Sequence, residues 1–261
     1  MRVHDRRATV RGAPSKAPGG IERRGRRGPE VTFLVHGIWQ HGSLLGLLSR
    51  VLGARGLNTR PLSYDFLNRS PEQNAAALYR TIQRSGARRV NLVAHSLGGI
   101  VVLHLLEQHP EMPIGRIVFL GSPVKGSFVA ERMHANRLLR PLLGRSIERG
   151  LLGGAPRYKG PWPLGIITGS GSFGISSLLY PVGEDSDGVV REQETELDNV
   201  SDRIRLPYSH SNLVFSRRCA EQVAEFLLVG RFRHGPADAA GAGAVADKPT
   251  TIDSQTDTPS G

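Results

Sequence analysis

The sequence predicts an α/β protein with a doubly wound, mostly parallel sheet of about six strands and helices on both faces. Short apolar, β-branched runs alternate along the chain with longer segments of helical periodicity, which is typical of this class. Polar or small residues follow several of these runs directly, as at the ligand-binding edge of a parallel sheet. Hydrophobic residues make up 39% of the 261 residues, enough for a sizeable core.

The predicted elements follow one another from residue 31 to residue 229. Predicted strands cover residues 31–35, 58–64, 90–95, 115–120, 164–168 and 203–208. Predicted helices cover residues 43–55, capped by Ser43, then 70–86, 97–106 and 214–229. Pro61 directs the second strand to an edge or an irregular course, because proline has no N–H for a central ladder.

Three changes in composition divide the chain. Residues 1–29 hold nine basic and two acidic residues with few large apolar side chains, which predicts a disordered basic arm. Residues 30–232 form the predicted α/β domain, and residues 233–261 a second disordered segment. Within the domain, residues 128–163 interrupt the alternation with an amphipathic, Arg-rich stretch (129–143) and Gly/Pro-rich sequence. They are a candidate short helical lid or cap, with an ordinary crossover helix as the alternative.

Composition also bounds the function classes. The single Cys219 allows no intramolecular disulfide, and there is no run of 18 apolar residues. No secretory leader is recognised, so we expect a cytoplasmic protein. The His and Cys residues lack metal-ligand spacing and no phosphate-binding loop is present, so no metal or cofactor is expected. The net charge of +11 lies largely in the arm and has no interleaved aromatic residues, so no specific nucleic-acid partner is predicted.

Ser96 occupies the turn between a predicted strand and a predicted helix. The stretch Val90–Leu103 starts as an apolar β-branched run and continues as an apolar run long enough for a helix. Ala94 and Gly98 flank the serine two positions away on either side. This A-x-S-x-G pattern is a variant of the nucleophile elbow, which presents the hydroxyl above the sheet at a helix N-terminus. The alternative is an ordinary junction in which Ser96 is only a helix N-cap.

A serine hydroxyl becomes a nucleophile when a base takes its proton and a third group orients that base. His210 follows the last predicted strand and is the candidate base. Asp187 lies in a tight turn before Gly188 and is the candidate acid, with Asp185 and Glu184 as alternatives. Asp202 begins a strand at the other edge of the sheet. His104 and His109, on the helix after Ser96, are predicted to be structural or at the surface, and His41 is near the expected site but has no strand to place it.

Four motifs together resemble the α/β-hydrolase superfamily, most closely small bacterial lipases and esterases with an A-H-S-x-G-G elbow. The motifs are His36-Gly37-Ile38, Ala94–Gly99, Asp185–Val190 and His210, and the resemblance spans roughly residues 31–230. Two features depart from the wider pattern. Ala94 replaces the first elbow glycine, and Trp39-Gln40 stands where some relatives have glycine, which implies a narrower acyl pocket.

The resemblance implies a serine esterase or lipase that acts through an acyl-enzyme. Ser96 would be the nucleophile, His210 the general base and acid, and Asp187 the orienting acid. The backbone N–H groups of Ile38 and Leu97 would form the oxyanion hole. Four other residues would contact the substrate: His36, Gly37, Trp39 and His95. The substrate would be a small-molecule ester or lipid. The resemblance leaves open whether the protein contacts a lipid surface peripherally, and it does not indicate the oligomeric state. Thioesterase, amidase or acyltransferase activity on the same triad, and a non-catalytic binding protein, are the alternatives.

Overall fold

The computed structural model describes residues 29–171, 182–183 and 185–235. The arm predicted for residues 1–29 lies outside this range except for Pro29. The segment predicted for 233–261 lies outside it from residue 236, and Glu184, the alternative acid, is also outside. The described residues contain one six-stranded sheet with helices packed around it.

All six strands are parallel, in the order β2-β1-β3-β4-β5-β6. The strands are β1 (Glu30–Val35), β2 (Thr59–Leu62), β3 (Arg89–His95), β4 (Ile114–Leu120), β5 (Leu164–Gly169) and β6 (Asp202–Leu206). The prediction of a doubly wound, mostly parallel sheet of about six strands is confirmed. Strand β2 is an edge strand, as Pro61 predicts, because its missing N–H then interrupts no second ladder.

In the described part of the chain, six α-helices connect or flank the strands. They are α1 (Gly46–Ala54), α2 (Pro71–Arg84), α3 (Leu97–Gln108), α4 (Phe128–Ala135), α5 (Asn212–Phe215) and α6 (Arg217–Val229). Three 3-10 helices cover Gly42–Leu45, Arg140–Ile147 and Glu192–Thr195. Helices α2 and α3 pack together on one face of the sheet, and α1 and α6 pack together on the other.

The core is divided by the sheet into two apolar layers, because successive strand side chains point to opposite faces. In β1, Phe33 belongs to the layer under α2 and α3, whereas Leu34 belongs to the layer under α1 and α6. In β4, Phe119 and Val118 divide in the same way. With both faces covered, the central strands are mainly apolar on both sides, which explains why they appear in the sequence as nearly continuous apolar runs.

Two predicted helices differ from the observed ones. The helix predicted from Ser43 begins as a 3-10 turn whose N-cap is His41, since the His41 ring accepts from the Ser43 N–H, and α1 starts only at Gly46. The amphipathic stretch 129–143 is not one helix. Helix α4 ends at Ala135, and a 3-10 helix begins at Arg140 with proline in its first turn. The break is at Asn136, whose backbone is extended (ψ 114°) and whose Oδ1 accepts from the Leu138 N–H at 3.0 Å, a local hydrogen bond that competes with the helix.

The 128–163 segment packs its helical part on the start of α3. A third apolar cluster joins Leu97 and Ile100 of α3 to Val129 and Met133 of α4 and to Leu143 of the 3-10 helix. This cluster is separate from the two core layers. The start of α3, directly after Ser96, is therefore covered by apolar side chains of the 128–163 segment.

Replacing Gly98 with alanine is expected to destabilise the fold by about 3 kcal/mol or more. A Cβ at this position would lie 2.7 Å from the carbonyl oxygens of both Val35 and His36, and both contacts are backbone. Gly53→Ala in α1 is the matched control, because a Cβ there meets nothing within 4 Å. It should raise stability by about 0.5–1 kcal/mol. Urea unfolding of both variants measures the difference, and equal stabilities would show that α3 can move away from β1.

Candidate active site

Ser96 adopts a strained backbone conformation between β3 and α3. Its φ of 54° and ψ of −126° lie in a region that residues with a Cβ rarely occupy. Ser96 takes the N-cap position of α3, but its side chain makes no cap hydrogen bond to that helix. Among the residues that the structure describes, no group hydrogen-bonds its Oγ, and the residue is 6% exposed. The turn therefore holds an unengaged hydroxyl at the carboxyl end of the sheet.

Asp187 and His210 form a buried hydrogen-bonded pair at the same edge of the sheet. Asp187 Oδ2 lies 2.7 Å from His210 Nδ1, and the His210 N–H donates to the Asp187 carbonyl at 2.9 Å. Asp187 Oδ1 accepts from the N–H groups of Val189 (3.0 Å) and Val190 (2.7 Å). Four hydrogen bonds thus fix the carboxylate relative to the imidazole. With Nδ1–H donated to Asp187, His210 Nε2 carries the free lone pair.

Asp187 is held in its ionised form. Burial raises the pKa of its carboxyl, but the charge and hydrogen bond of His210 and the two backbone N–H groups lower it more. The net result is a pKa below the ordinary value of 3.8. Gly121, which follows β4, makes room for the pair, since a Cβ there would lie 2.9 Å from Asp187 Oδ2.

Two backbone N–H groups beside Ser96 have no acceptor. Leu97 is the first residue of α3, where N–H groups lack an intrahelical partner. Ile38 lies in the loop after β1, and the preceding Gly37 N–H is occupied by Gln40 Oε1 at 3.0 Å. Within the described ranges, neither the Ile38 nor the Leu97 N–H donates to a protein atom. Gly37 itself lies against the serine, because a Cβ there would be 2.9 Å from Ser96 Cβ.

His95 connects the loop after β1 to the loop that carries His210. Its Nδ1 lies 3.1 Å from Gln40 Oε1, and its Nε2 lies 3.1 Å from the His210 carbonyl oxygen. Its ring also contacts the His210 ring, with centroids 4.6 Å apart. Gln40 Oε1 is an acceptor because Gly37 donates to it, so both ring nitrogens of His95 face acceptors. Burial, with a smaller contribution from His210, lowers the pKa of His95 to about 3. The neutral ring carries a single N–H, so it can donate to only one of these two acceptors at a time.

His36 is also buried, but its contacts are mutually consistent. Nε2 accepts from the Tyr64 N–H at 3.3 Å, which leaves Nδ1–H to donate to the Gly37 carbonyl at 2.8 Å. The Tyr64 ring stacks on the imidazole at 4.3 Å, and its hydroxyl donates to the His36 carbonyl at 2.8 Å. Burial is the largest influence on the pKa of His36 and lowers it. The ring is 0% exposed and braces the loop after β1 against β2.

The other acids and histidines considered from the sequence lie outside this site. Asp185 Oδ1 is 3.3 Å from the guanidinium of Arg205 and faces solvent. Asp202 is at the start of β6, at the opposite end of the sheet from His210. His104 and His109 lie at the end of α3, where the first contacts the Arg149 carbonyl and the second stacks on Tyr79.

Two contacts tie the 128–163 segment to the site. Trp39 Nε1 donates to the Leu142 carbonyl at 2.9 Å, and Trp39 has a φ of 55°. Glu194, just after the Asp187 turn, accepts from the N–H of Phe128 at 2.7 Å and from that of Arg191 at 3.0 Å. The loop after β1 and the loop carrying the acid are therefore both attached to the helices that cover α3.

Sequence reasoning placed the predicted residues at one sheet edge but missed three that support them. Gln40, Tyr64 and Gly121 have contacts at the site that were not predicted. The role of Gly121 could have been predicted from its sequence position, because a glycine directly after a buried strand allows close approach of other groups. Tyr64 follows β2 at the same edge, so its position could have been inferred in the same way. Gln40 had no comparable signal.

A family model described as a domain of unknown function (DUF7379) matches residues 6–156. This match spans more than half of the chain. The protein belongs to the DUF7379 family. No curated protein matches the sequence. The family match includes Ser96 and the loop after β1 but ends before Asp187 and His210.

Solved structures show which fold this DUF7379 protein has. The lipase BlEst2 of Bacillus licheniformis superposes with a TM-score of 0.60 at 21% identity, over 80% of this chain and 94% of the lipase. The phospholipase PlaB of Legionella pneumophila gives 0.59 at 17% identity, over 77% of this chain but only 59% of PlaB. A pyrethroid hydrolase of Sphingobium faniae JZ-2 gives 0.51 at 16%, over 77% and 98%. The predicted α/β-hydrolase fold is confirmed.

Among the described residues, no group of three or more His, Cys, Asp or Glu side chains could hold a metal ion. In the same part of the chain, no helix has the length and apolarity needed to cross a bilayer.

Proposed function

We propose that the protein is a serine hydrolase that cleaves carboxylic esters with an apolar acyl group. One observation carries the proposal. A buried Asp187–His210 pair with a free Nε2 lies at the same sheet edge as Ser96, whose hydroxyl is unengaged and whose backbone is strained. Backbone strain of this kind persists where the surrounding structure enforces it, often at functional sites.

The proposed reaction is a two-step acyl transfer. Ser96 Oγ attacks the ester carbonyl carbon while His210 Nε2 takes the hydroxyl proton, and the carbonyl oxygen becomes an oxyanion. The unoccupied N–H groups of Ile38 and Leu97 donate to that oxyanion, each contributing roughly 3 kcal/mol to transition-state stabilisation. His210 then protonates the departing alkoxide. Water, deprotonated by the same nitrogen, hydrolyses the acyl-enzyme and releases the acid.

Within this proposal, His36 and His95 position the site and do not line it. Both rings are buried, and their nitrogens face groups of the protein itself. Substrate contact falls instead to Gly37, Ile38 and the exposed part of Trp39. The proposed acyl pocket is lined by the apolar cluster over α3, because Leu97 belongs to that cluster and Ile38 packs against it, and these are the two proposed oxyanion donors.

Fluorophosphonate labelling tests whether Ser96 is activated. Wild-type protein should be labelled, and Ser96→Ala should not. Ser122→Ala is the matched control, because Ser122 is also a buried serine that follows a strand, and it should be labelled like the wild type. No labelling of folded wild-type protein would favour the non-catalytic binding protein over the proposed enzyme.

A series of p-nitrophenyl esters of increasing acyl length tests the substrate class. Each methylene that enters an apolar pocket contributes up to about 0.8 kcal/mol, so kcat/KM should rise by up to about fourfold per carbon until the pocket is filled. A flat series would remove the apolar acyl pocket from the proposal. Matched thioester, amide and alcohol-acceptor assays would identify a thioesterase, an amidase or an acyltransferase on the same residues.

Replacing Gln40 with methionine is expected to lower kcat by about 10–100-fold with little change in KM. The variant keeps the side-chain volume but leaves the Gly37 N–H and the His95 ring without their shared acceptor, so the loop carrying the Ile38 N–H is less fixed. Gln108→Met is the control, because Gln108 lies at the end of α3 and, among the described residues, its side chain hydrogen-bonds only to the Glu72 carbonyl of α2. Steady-state kinetics on one soluble ester suffices. An equal fall in both variants would contradict the positioning role.

A further inference from the structure

Large apolar side chains are exposed together beside the 3-10 helix Arg140–Ile147. Leu138 is 86% exposed, Leu142 49% and Trp39 53%. The hydrogen bond from Trp39 Nε1 to the Leu142 carbonyl places the indole next to this segment. Leu67, also exposed, joins them, since its carbonyl accepts from the Arg145 N–H at 2.9 Å. Exposed apolar patches of this kind mark interaction surfaces.

The same segment carries unpaired positive charge. Arg137 and Arg140 flank Leu138 and are exposed. Within the part of the chain that the structure describes, neither guanidinium has an ion-pair partner. Arg145 and Arg149, farther along, are both paired with glutamates. Among the described residues, Arg137 and Arg140 thus place positive charge without an ion-pair partner beside the exposed Leu138.

We propose that this surface docks on a lipid bilayer that contains anionic lipids. The docking face consists of Trp39, Leu67, Leu138 and Leu142 together with Arg137 and Arg140. Tryptophan and leucine side chains enter the headgroup region, where an indole finds both apolar and polar surroundings, and arginines bind the anionic headgroups. An apolar protein partner would leave the guanidinium groups without counter-charge, and a nucleic acid would leave the leucines in water.

The docking face adjoins the proposed site. Trp39 follows Ile38 directly, so a bilayer on this face would lie next to the loop beside Ser96. Docking itself needs no chemistry, so the interaction stands or falls independently of the proposed ester hydrolysis. A Ser96→Ala variant should bind vesicles as well as the wild type does.

Vesicle co-sedimentation of the full-length chain tests the proposal. Vesicles of phosphatidylglycerol and phosphatidylcholine should retain the wild type, whereas pure phosphatidylcholine vesicles should retain far less. Leu138→Asp with Leu142→Asp should lower the partition coefficient at least about tenfold. Arg137→Gln with Arg140→Gln should lower it on the order of 25-fold, about fivefold for each charge. About 1 M salt should weaken wild-type binding, because the Debye length falls to roughly 3 Å.

The matched control is Leu228→Asp on α6, where a leucine of similar exposure (48%) lies outside the docking face. It should bind vesicles like the wild type. Leu228→Asp and the variants of the docking face, if they are folded, should hydrolyse a soluble ester at the wild-type rate. Three results would overturn the proposal. The first is that the wild type does not bind anionic vesicles. The second is that all variants of the docking face bind as well as the wild type, which would assign vesicle binding to another part of the chain. The third is that the wild type is a dimer and Leu138→Asp dissociates it.

Discussion

Replacing Ser96 with alanine is expected to lower kcat for an activated ester by about 10⁵–10⁶-fold. The loss is large because no acyl-enzyme can form without the hydroxyl, and the N–H groups of Ile38 and Leu97 alone provide only residual catalysis. The free energy of unfolding should change by less than about 1 kcal/mol, because Ser96 Oγ has no hydrogen bond to lose among the described residues. Steady-state kinetics and urea unfolding of the same preparation measure both quantities.

The separation of activity from stability distinguishes a nucleophile from a structural serine. If the variant lost both together, Ser96 would be needed mainly for the turn between β3 and α3. If it kept more than about 1% of the wild-type kcat, hydrolysis would have to occur at another group. Burst kinetics of the wild type adds a positive signature, because an acyl-enzyme that accumulates releases one equivalent of alcohol rapidly.

The sheet was predictable because its information is local. Each central strand is an apolar run bounded by turn residues, and both faces are covered, so the pattern survives without long-range knowledge. Pro61 limited β2 to an edge position or an irregular course, and the structure has it at the edge. The 129–143 stretch was harder, because its apolar periodicity continues past Asn136, where the backbone becomes extended and α4 has ended. The helical pattern and the local hydrogen bond of the Asn136 side chain conflicted there, and the helical pattern did not prevail.

The site was predictable only in part, for a related reason. Ser96, Asp187 and His210 each follow or adjoin a strand end, so parallel topology brings them to one edge. The contacts that orient them join residues far apart in sequence. Gln40 meets His95 across 55 positions, and Tyr64 meets His36 across 28. Such pairs depend on the path of a loop, which no local pattern encodes. The predicted substrate contacts of His36 and His95 depended on the same unknown path.

Replacing Asp187 with asparagine is expected to lower kcat by about 10⁴-fold. The amide can accept from the N–H groups of Val189 and Val190 as the carboxylate does, so the turn should be retained. Its NH₂ group would then face His210 Nδ1 and donate to it. The imidazole proton would move to Nε2, the nitrogen that must take the Ser96 proton, and the base would be blocked. KM should change little, because Asp187 is 2% exposed and is not expected to contact the substrate.

The pH dependence of stability provides an independent measure of this carboxylate. The pKa of Asp187 is lower in the folded protein than its ordinary value of 3.8, because the effect of His210 and the backbone donors exceeds that of burial. The ionised group therefore stabilises the fold fully above that value, and the stabilisation is lost as pH falls through the folded pKa. At pH 7, the free energy of unfolding measured with urea should be about 1–2 kcal/mol higher for the wild type than for Asp187→Asn. This difference in free energy should shrink below about pH 4. Asp185→Asn is the control, because Asp185 is a solvent-exposed partner of Arg205 and should alter neither kcat nor this difference appreciably. A constant difference across the range would show that Asp187 is not held ionised by His210.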